Sequence, residues 1–481
     1  MQLIKELEPS SVWGYFYEIT QIPRASKKED KILDYLIRFA KTHSLEWKQD
    51  KIGNIVIKKK ATNDSSGTVI LQSHVDMVCE KNNDVVFNFD TDPIQAYIDN
   101  GWVKAKGTTL GADCGIGVAV QLAILAAEDL EHPALECLFT VDEETGLTGA
   151  FGLGDDMLTG NYLINLDSED EGEIFIGCAG GIDTVAEFEY SEIPLPDDNM
   201  KTLKLEIKGL QGGHSGDDIN RGLANSNILL ARFLHSVMDK YGVLLSDIDG
   251  GNLRNAIPRE AMACVAVPAS HEEELKKAFF DYFQVVKAEY HVTEPDIQFN
   301  IKQSGSRQSA IAPDIARNLI NAMFVCPNGV IAMSQDIENF VETSTNLASV
   351  KIKDGRIVIS TSQRSSIESK KQYVSRMVAT VFRTYGANVV FSEGYPGWTP
   401  VISSPLLVVF KDIYYRLFNE QAKVKAIHAG LECGLFLKKY PQLEMISIGP
   451  TIKKVHSPGE MLNIETVDKF WRLLVNSLSL L

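Results

Sequence analysis

The stretch "TVDEETG", residues 140–146, sets Asp142, Glu143 and Glu144 side by side directly after the apolar run "ALECLF". Other polar groups follow apolar runs or open a helix in the same way: His74 and Asp76 in "SHVDMV", Asp167 in "NLDSED" and Asp113 in "GTTLGADCGIG". In an open parallel sheet, groups at the carboxyl ends of the strands gather at one edge. Carboxylates that converge there repel one another, and burying an unpaired one is costly, so a positive charge must sit between them. No lysine or arginine lies within "TVDEETG", "GTTLGADCGIG" or "SHVDMV". A divalent cation supplies the missing charge. Imidazole and carboxylate donors, with no thiolate offered, suit zinc, with manganese or cobalt as alternatives. A second metal close by needs a bridging carboxylate and a second histidine. His456 in "ISIGPTIKKVHSPGE", after another strand and a Gly-Pro turn, is the candidate.

Each residue alone has a blander reading. His74 could be a hydrogen-bonded core histidine, Asp113 a helix N-cap, Asp167 a turn cap and His456 an exposed loop residue. Their joint placement is what calls for a metal. The segment "GADCGIG" lacks both the G-K-[ST] ending of a phosphate loop and a complete G-x-G-x-x-G pattern, so its glycines are read as permitting close packing of backbone and helix.

The elements that must position these groups are legible from periodicity. "TVILQSH", "ALECLFTV" and "NYLINLD" read as strands, and "GIGVAVQLAILAAEDL" as a helix buried nearly all round. That alternation predicts a largely parallel sheet covered on both faces. From about 185 to 395 polar-alternating strands predict an antiparallel sheet with helices on one side, arranged as two related α+β halves. After "GYPGWTP" (394–400) the α/β texture returns. The expected architecture is an α/β catalytic domain with a mainly parallel central sheet, interrupted by an α+β lid domain. Its parts are residues 1–184, 185–396 and 397–481.

A chain of 481 residues is too long for one ordinary core, and 44% hydrophobic with 23% charged residues is the balance of a soluble globular protein. With 64 acidic against 47 basic residues the formal charge is −17, which disfavours nucleic acid and anionic membrane surfaces as partners. The opening "MQLIKELEPSS" lacks the features of a secretory signal, and no apolar run approaches the roughly 20 residues that cross a bilayer, so a cytoplasmic location is expected. Seven scattered cysteines with no C-x-x-C pair indicate reduced, mostly buried thiols.

In order, "SHVDMV", "GTTLGADCGIG", "TVDEETG", "NLDSED" and "VHSPGE" resemble the co-catalytic zinc exopeptidases, the family of carboxypeptidase G-like and carnosinase-like enzymes. The long "HVDMVCEKNNDVVFNFDTDPI" is most similar to the family's bacterial branch that cleaves aminoacyl-histidine dipeptides. The resemblance spans nearly the whole chain. It implies two divalent metal ions, with Asp113 bridging both. His74 and Asp167 would complete the ligands of one, Glu144 and His456 those of the other. Glu143 would be the general base, and Asp76 would orient His74.

The same resemblance carries substrate contacts to His214 in "GLQGGHSGDDINRG" and Asn255 in "GNLRNAIPRE", holding an oxyanion and the substrate termini. Arg364 in "TSQRSS" is a candidate for a bidentate grip on a terminal carboxylate, and His428 and Glu432 in "HAGLECG" for binding the substrate amine or shaping the cleft. The expected activity is hydrolysis of Xaa-His and other unblocked dipeptides, β-alanyl-histidine among them, with a homodimer as a compatible assembly. The rivals are a related tripeptidase or N-acyl amino acid deacylase and, against the complete ligand set, an inactive binding protein on the same scaffold.

Overall fold

The computed structural model describes residues 3–65, 67–196, 199–305 and 308–481. Two units emerge: Met1–Gly177, Pro400–Ala426 and Leu431–Leu481 form the first, and Cys178–Thr399 with Ile427–Gly430 the second. The junctions read from sequence at 184/185 and 396/397 lie at 177/178 and 399/400. Ile427–Gly430, inside what reads as a return to the first unit, belongs to the second.

In the first unit, aliphatic runs with both faces covered make the centre of an eight-stranded sheet. Its order is Glu46–Gln49, Ile55–Lys59, Ala134–Thr140, Thr68–His74, Tyr162–Asn165, Glu444–Ser447, Glu173–Cys178 and Lys423–Ile427. The four strands from Ala134–Thr140 to Glu444–Ser447 run parallel, as the sequence predicts. Antiparallel pairs flank them. Side chains such as Ile70, Leu71, Leu138 and Phe139 are fully buried, which is why these strands read as unbroken apolar runs rather than alternating ones.

The Ala112–Ala126 helix packs on this sheet and against the Ser10–Thr20 helix, and is buried from Ile116 to Leu125. Gly117 makes the close approach possible: a Cβ there would lie 2.7 Å from Cys114 Sγ and 2.9 Å from the Leu166 carbonyl oxygen. A small sheet ties the C-terminal segment to the N-terminal one. The hairpin of Ile452–Lys453 and Met461–Asn463 pairs with Trp102–Ala105, which pairs in turn with Ala96–Asp99.

In the second unit, Leu203, Leu205 and Ile207 are buried while Lys204 and Glu206 between them are partly exposed, the period-two pattern of a sheet with one covered face. One core joins these strands to the helices that carry Phe233, Phe279, Ile320 and Phe382.

The two expected halves are present. One runs Met200–Lys208, helix Ser226–Tyr241, Leu244–Gly250, Ala261–Pro268, helix Glu272–Glu289, Gln298–Gln303. The other runs Gly180–Glu189, helix Pro313–Val325, Val341–Lys353, Arg356–Ser365, helix Glu368–Thr384, Asn388–Phe391. In each, the first and third strands pair centrally, the fourth flanks the first and the second flanks the third. The halves meet through their second strands at Gly250 and Val350. Because the first half is inserted after the opening strand of the other, the repeat is interrupted in sequence and only its later elements are readable.

Gly117→Ala should force the helix off its neighbour and cost about 1–3 kcal/mol of stability, as overpacking does. Chemical denaturation measures this, and an unchanged midpoint would show that the helix can shift freely.

Candidate active site

All the expected metal ligands lie in the first unit. In the parallel sheet His74 pairs with Thr140 and Gln72 with Asn165, so the segments carrying Asp76, Glu143, Glu144 and Asp167 leave the sheet at one edge. Asp113 enters in the first turn of the Ala112–Ala126 helix. His456 occupies the turn of the hairpin that is zipped onto Trp102–Ala105, with a left-handed φ of 58°.

The Asp113 carboxylate lies between two imidazoles. One oxygen lies 3.1 Å from His74 Nε2 and the other 3.2 Å from His456 Nε2. His74 Nε2 is also 3.2 Å from Asp167, and His456 Nε2 is 3.0 Å from Glu144. Two donor sets therefore share Asp113: His74 with Asp167, and His456 with Glu144. Glu144 Oε1 is buried with no hydrogen-bond partner among the described residues, an orphan that a cation would satisfy.

Asp76 organises the edge. Its carboxylate lies 3.4 Å from His74 Nδ1 and accepts the backbone N–H groups of Glu143 and Glu144 at 3.1 and 3.2 Å and the Ser26 hydroxyl at 2.8 Å. One carboxylate thus sits against the imidazole and fixes the turn that presents the two glutamates. Asp142 supports that turn: it adopts a φ of 50°, its side chain accepts the hydroxyls of Thr145 and Thr148, and its N–H donates to Glu29.

Electrostatics follow from this crowding. Burial opposes charge on His74, yet Asp167, Asp113 and Asp76 hold its pKa well above the ordinary value. Hydrogen bonds to Asp113 and Glu144 raise His456 to about 11. Burial works against Asp113, but the two imidazoles keep it well below the usual carboxylate range. Burial, with Asp113 beside it, pushes Asp167 up to about 6. Burial also raises Glu143 well above its ordinary value, reinforced by Asp167, Glu432 and Glu144. Two imidazoles and carboxylates around a shared carboxylate match a pair of zinc, manganese or cobalt ions.

Several residues here escaped the sequence reading. Arg24 is buried and donates to the carbonyl oxygens of Val75, Asp76 and Gly111, so a positive charge does lie beside the acidic segments, brought from a distant part of the chain. Glu460, four residues after His456, is buried against the backbone of residues 110–113. Glu169 is pushed up to about 8 by burial and by Asp113 and Asp167. Cys114 places its sulfur close to the donor atoms of His74 and Asp167. It donates to the Leu166 carbonyl, and burial raises its pKa.

Glu432 also lies in the first unit, 1% exposed, accepting from Gln72 at 2.6 Å and Thr140 at 2.9 Å. Burial lifts its pKa to about 8. It supports the strand ends from beneath.

The other substrate candidates lie in the second unit. His214 Nε2 is 3.5 Å from Arg364, and its Nδ1 is 3.0 Å from Asp217. Arg364 donates to the Tyr395 hydroxyl at 3.1 Å, and its Nε is buried without a partner among the described residues. His428 meets the Ser344 hydroxyl at 2.7 Å, and burial and Arg364 lower its pKa to about 3. Asn255 is exposed beside His214, its carbonyl accepting the Ser215 N–H at 2.8 Å.

Known proteins resemble the chain over nearly its whole length. The family model described as "Peptidase family M20/M25/M40" matches residues 70–479. The chain is 43% identical over 480 residues to the cytosol non-specific dipeptidase of Escherichia coli (strain K12), covering 99% of each. The crystal structure of aminoacylhistidine dipeptidase from Vibrio alginolyticus superposes with a TM-score of 0.94 at 41% identity, covering 100% of this chain and 98% of that one. The aminopeptidase PepT of Bacillus cereus shares the fold, with a TM-score of 0.57 at 16% identity over 98% of both chains.

Any ion entering the two donor sets competes with protons for the His74 and His456 imidazoles. Because both pKa values are raised, His456 to about 11, metal affinity should fall as the pH drops through the neutral range, and more steeply below about 6, where Asp167 takes up a proton as well. Calorimetry with Zn2+ in buffers of different ionisation enthalpy should show net proton release. Binding that is independent of pH and releases no proton would contradict this electrostatic picture.

Proposed function

Since the chain belongs to peptidase family M20/M25/M40, we propose that it is a cytoplasmic metallodipeptidase acting on unblocked dipeptides, Xaa-His and β-alanyl-histidine among them. The observation that carries the reading is the Asp113 carboxylate shared between His74 and His456. Support for the substrate class and location comes from the dipeptidase relatives, which are alike over nearly their whole length.

In this proposal His74, Asp113 and Asp167 would hold one divalent ion, and Asp113, Glu144 and His456 a second, with zinc favoured and manganese or cobalt as alternatives. Ions bound there would supply Lewis acidity towards a peptide carbonyl, acidify water and draw Glu143 towards its ionised form. Glu143 then takes a proton from the attacking water. As the C–N bond breaks, it returns that proton to the leaving amine nitrogen. Asp76 holds both His74 and the Glu143 backbone in place, so the base and one ligand keep a fixed separation. His214 and Asn255 are assigned to the oxyanion and the substrate termini. Arg364 takes the terminal carboxylate, with His428 beside its site, while Glu432 contributes by supporting Gln72 and Thr140.

Glu143→Gln should retain both ions yet lower kcat by roughly 10²–10⁴-fold. Turnover at the wild-type rate would overturn the assignment of the base. Arg364→Lys keeps the charge but loses the fork, and should raise KM for dipeptides more than it lowers kcat; an unchanged KM would remove Arg364 from the carboxylate site. The reading as a whole is tested with a panel of dipeptides, tripeptides and acylated amino acids, each with zinc, manganese and cobalt added separately. Preference for dipeptides supports it. Preference for tripeptides or acylated amino acids transfers the chain to a related amidohydrolase, and inactivity on all of them favours a binding protein.

A further inference from the structure

Glu460 takes no part in the proposed ligand set, yet its carboxylate is 3% exposed and accepts from four consecutive backbone N–H groups. Oε2 receives Leu110 at 2.7 Å and Gly111 at 3.0 Å; Oε1 receives Ala112 at 2.7 Å and Asp113 at 3.4 Å. The same carboxylate sits on the turn that carries His456, where the Glu460 N–H donates to the Ser457 carbonyl at 3.0 Å. The next residue, Met461, pairs with Lys104 in the small sheet.

The loop is gripped from its other side as well. Arg24 donates to the Gly111 carbonyl, and its second nitrogen to the Val75 and Asp76 carbonyls at 2.9 and 2.7 Å. Gly111 has a φ of +69°, and a Cβ there would lie 2.4 Å from Arg24 Nη2. The backbone of residues 110–113 is therefore joined by its N–H groups to the His456 turn and by a carbonyl to the segment that follows His74.

We propose that Glu460, with Arg24 as its counterpart, is a positioning residue that sets the separation of the two metal half-sites sharing Asp113. The inference rests on the two-ion reading above. Ligand side chains alone do not fix that separation, because His456 stands on an exposed turn. The N–H clamp turns the His456 segment and the Asp113 segment into one rigid piece, and the guanidinium fixes that piece to the His74 strand. An ionised carboxylate suits the task because it only accepts; an amide would aim its own N–H groups at two of the four donors.

The test is Glu460→Gln, titrated with Co2+ after chelation and followed by visible absorbance and by equilibrium dialysis. Glu136→Gln is the control for general destabilisation. Glu136 is likewise buried and accepts the N–H groups of Thr159 and Gly160 at 2.7 and 3.1 Å, but it belongs to another part of the first unit. Wild type should bind two Co2+ per chain. Glu460→Gln should keep one tight site and weaken the other about tenfold or more, while Glu136→Gln lowers the unfolding temperature and keeps both. Two sites of wild-type affinity in folded Glu460→Gln overturn the proposal, as does weakening of the second site to the same degree in Glu136→Gln. Fewer than two ions on the wild type would instead overturn the two-ion reading on which it rests.

Discussion

A carboxylate placed between two imidazoles is the constraint on which the first unit depends. Asp113 faces His74 with one oxygen and His456 with the other, and Asp167 and Glu144 close in from the sides. Two carboxylates about 4 Å apart repel by about 4 kcal/mol even at an effective dielectric of 20. The cluster is tenable only with positive charge inside it. The same carboxylates raise the pKa values of His74 and His456, and a divalent ion in each donor set would supply the positive charge.

The scaffold meets this constraint by spending other polar groups on backbone rather than on ligands. Asp76 anchors the turn of Glu143 and Glu144, Asp142 and two threonines brace that turn, and Arg24 holds three carbonyl oxygens. Each restrains main chain that carries a ligand. Parallel strands then deliver several of these segments to one edge, which is the property of such sheets that makes them hosts for this chemistry. The second unit is built on another plan, a repeated β-α-β-β-α-β pattern, and holds its own polar cluster around His214 and Arg364.

Much of the centre was legible because its residues follow apolar strands: His74, Asp76, Glu143, Glu144 and Asp167 sit where burial periodicity ends. His456 was nameable through the need for a second histidine and not through periodicity, since a histidine on a turn carries no periodic signal. Arg24 and Glu460 were missed for a related reason. "IPRAS" and "SPGE" are short loops, and nothing local reveals that their side chains reach backbone in a distant segment. Positive charge is absent from the acidic stretches themselves and reaches them in the fold through Arg24. The interrupted repeat of the second unit was half visible, because an insertion separates Gly180–Glu189 from the helix that follows it in the repeat.

The shared role of Asp113 is tested most directly by anomalous diffraction from crystals of the wild-type chain grown with Zn2+, with data collected on both sides of the zinc edge. The account predicts two anomalous peaks, one on each side of the Asp113 carboxylate, the first contacting His74 and Asp167 and the second His456 and Glu144. A single peak, or two peaks that do not share Asp113, would contradict it.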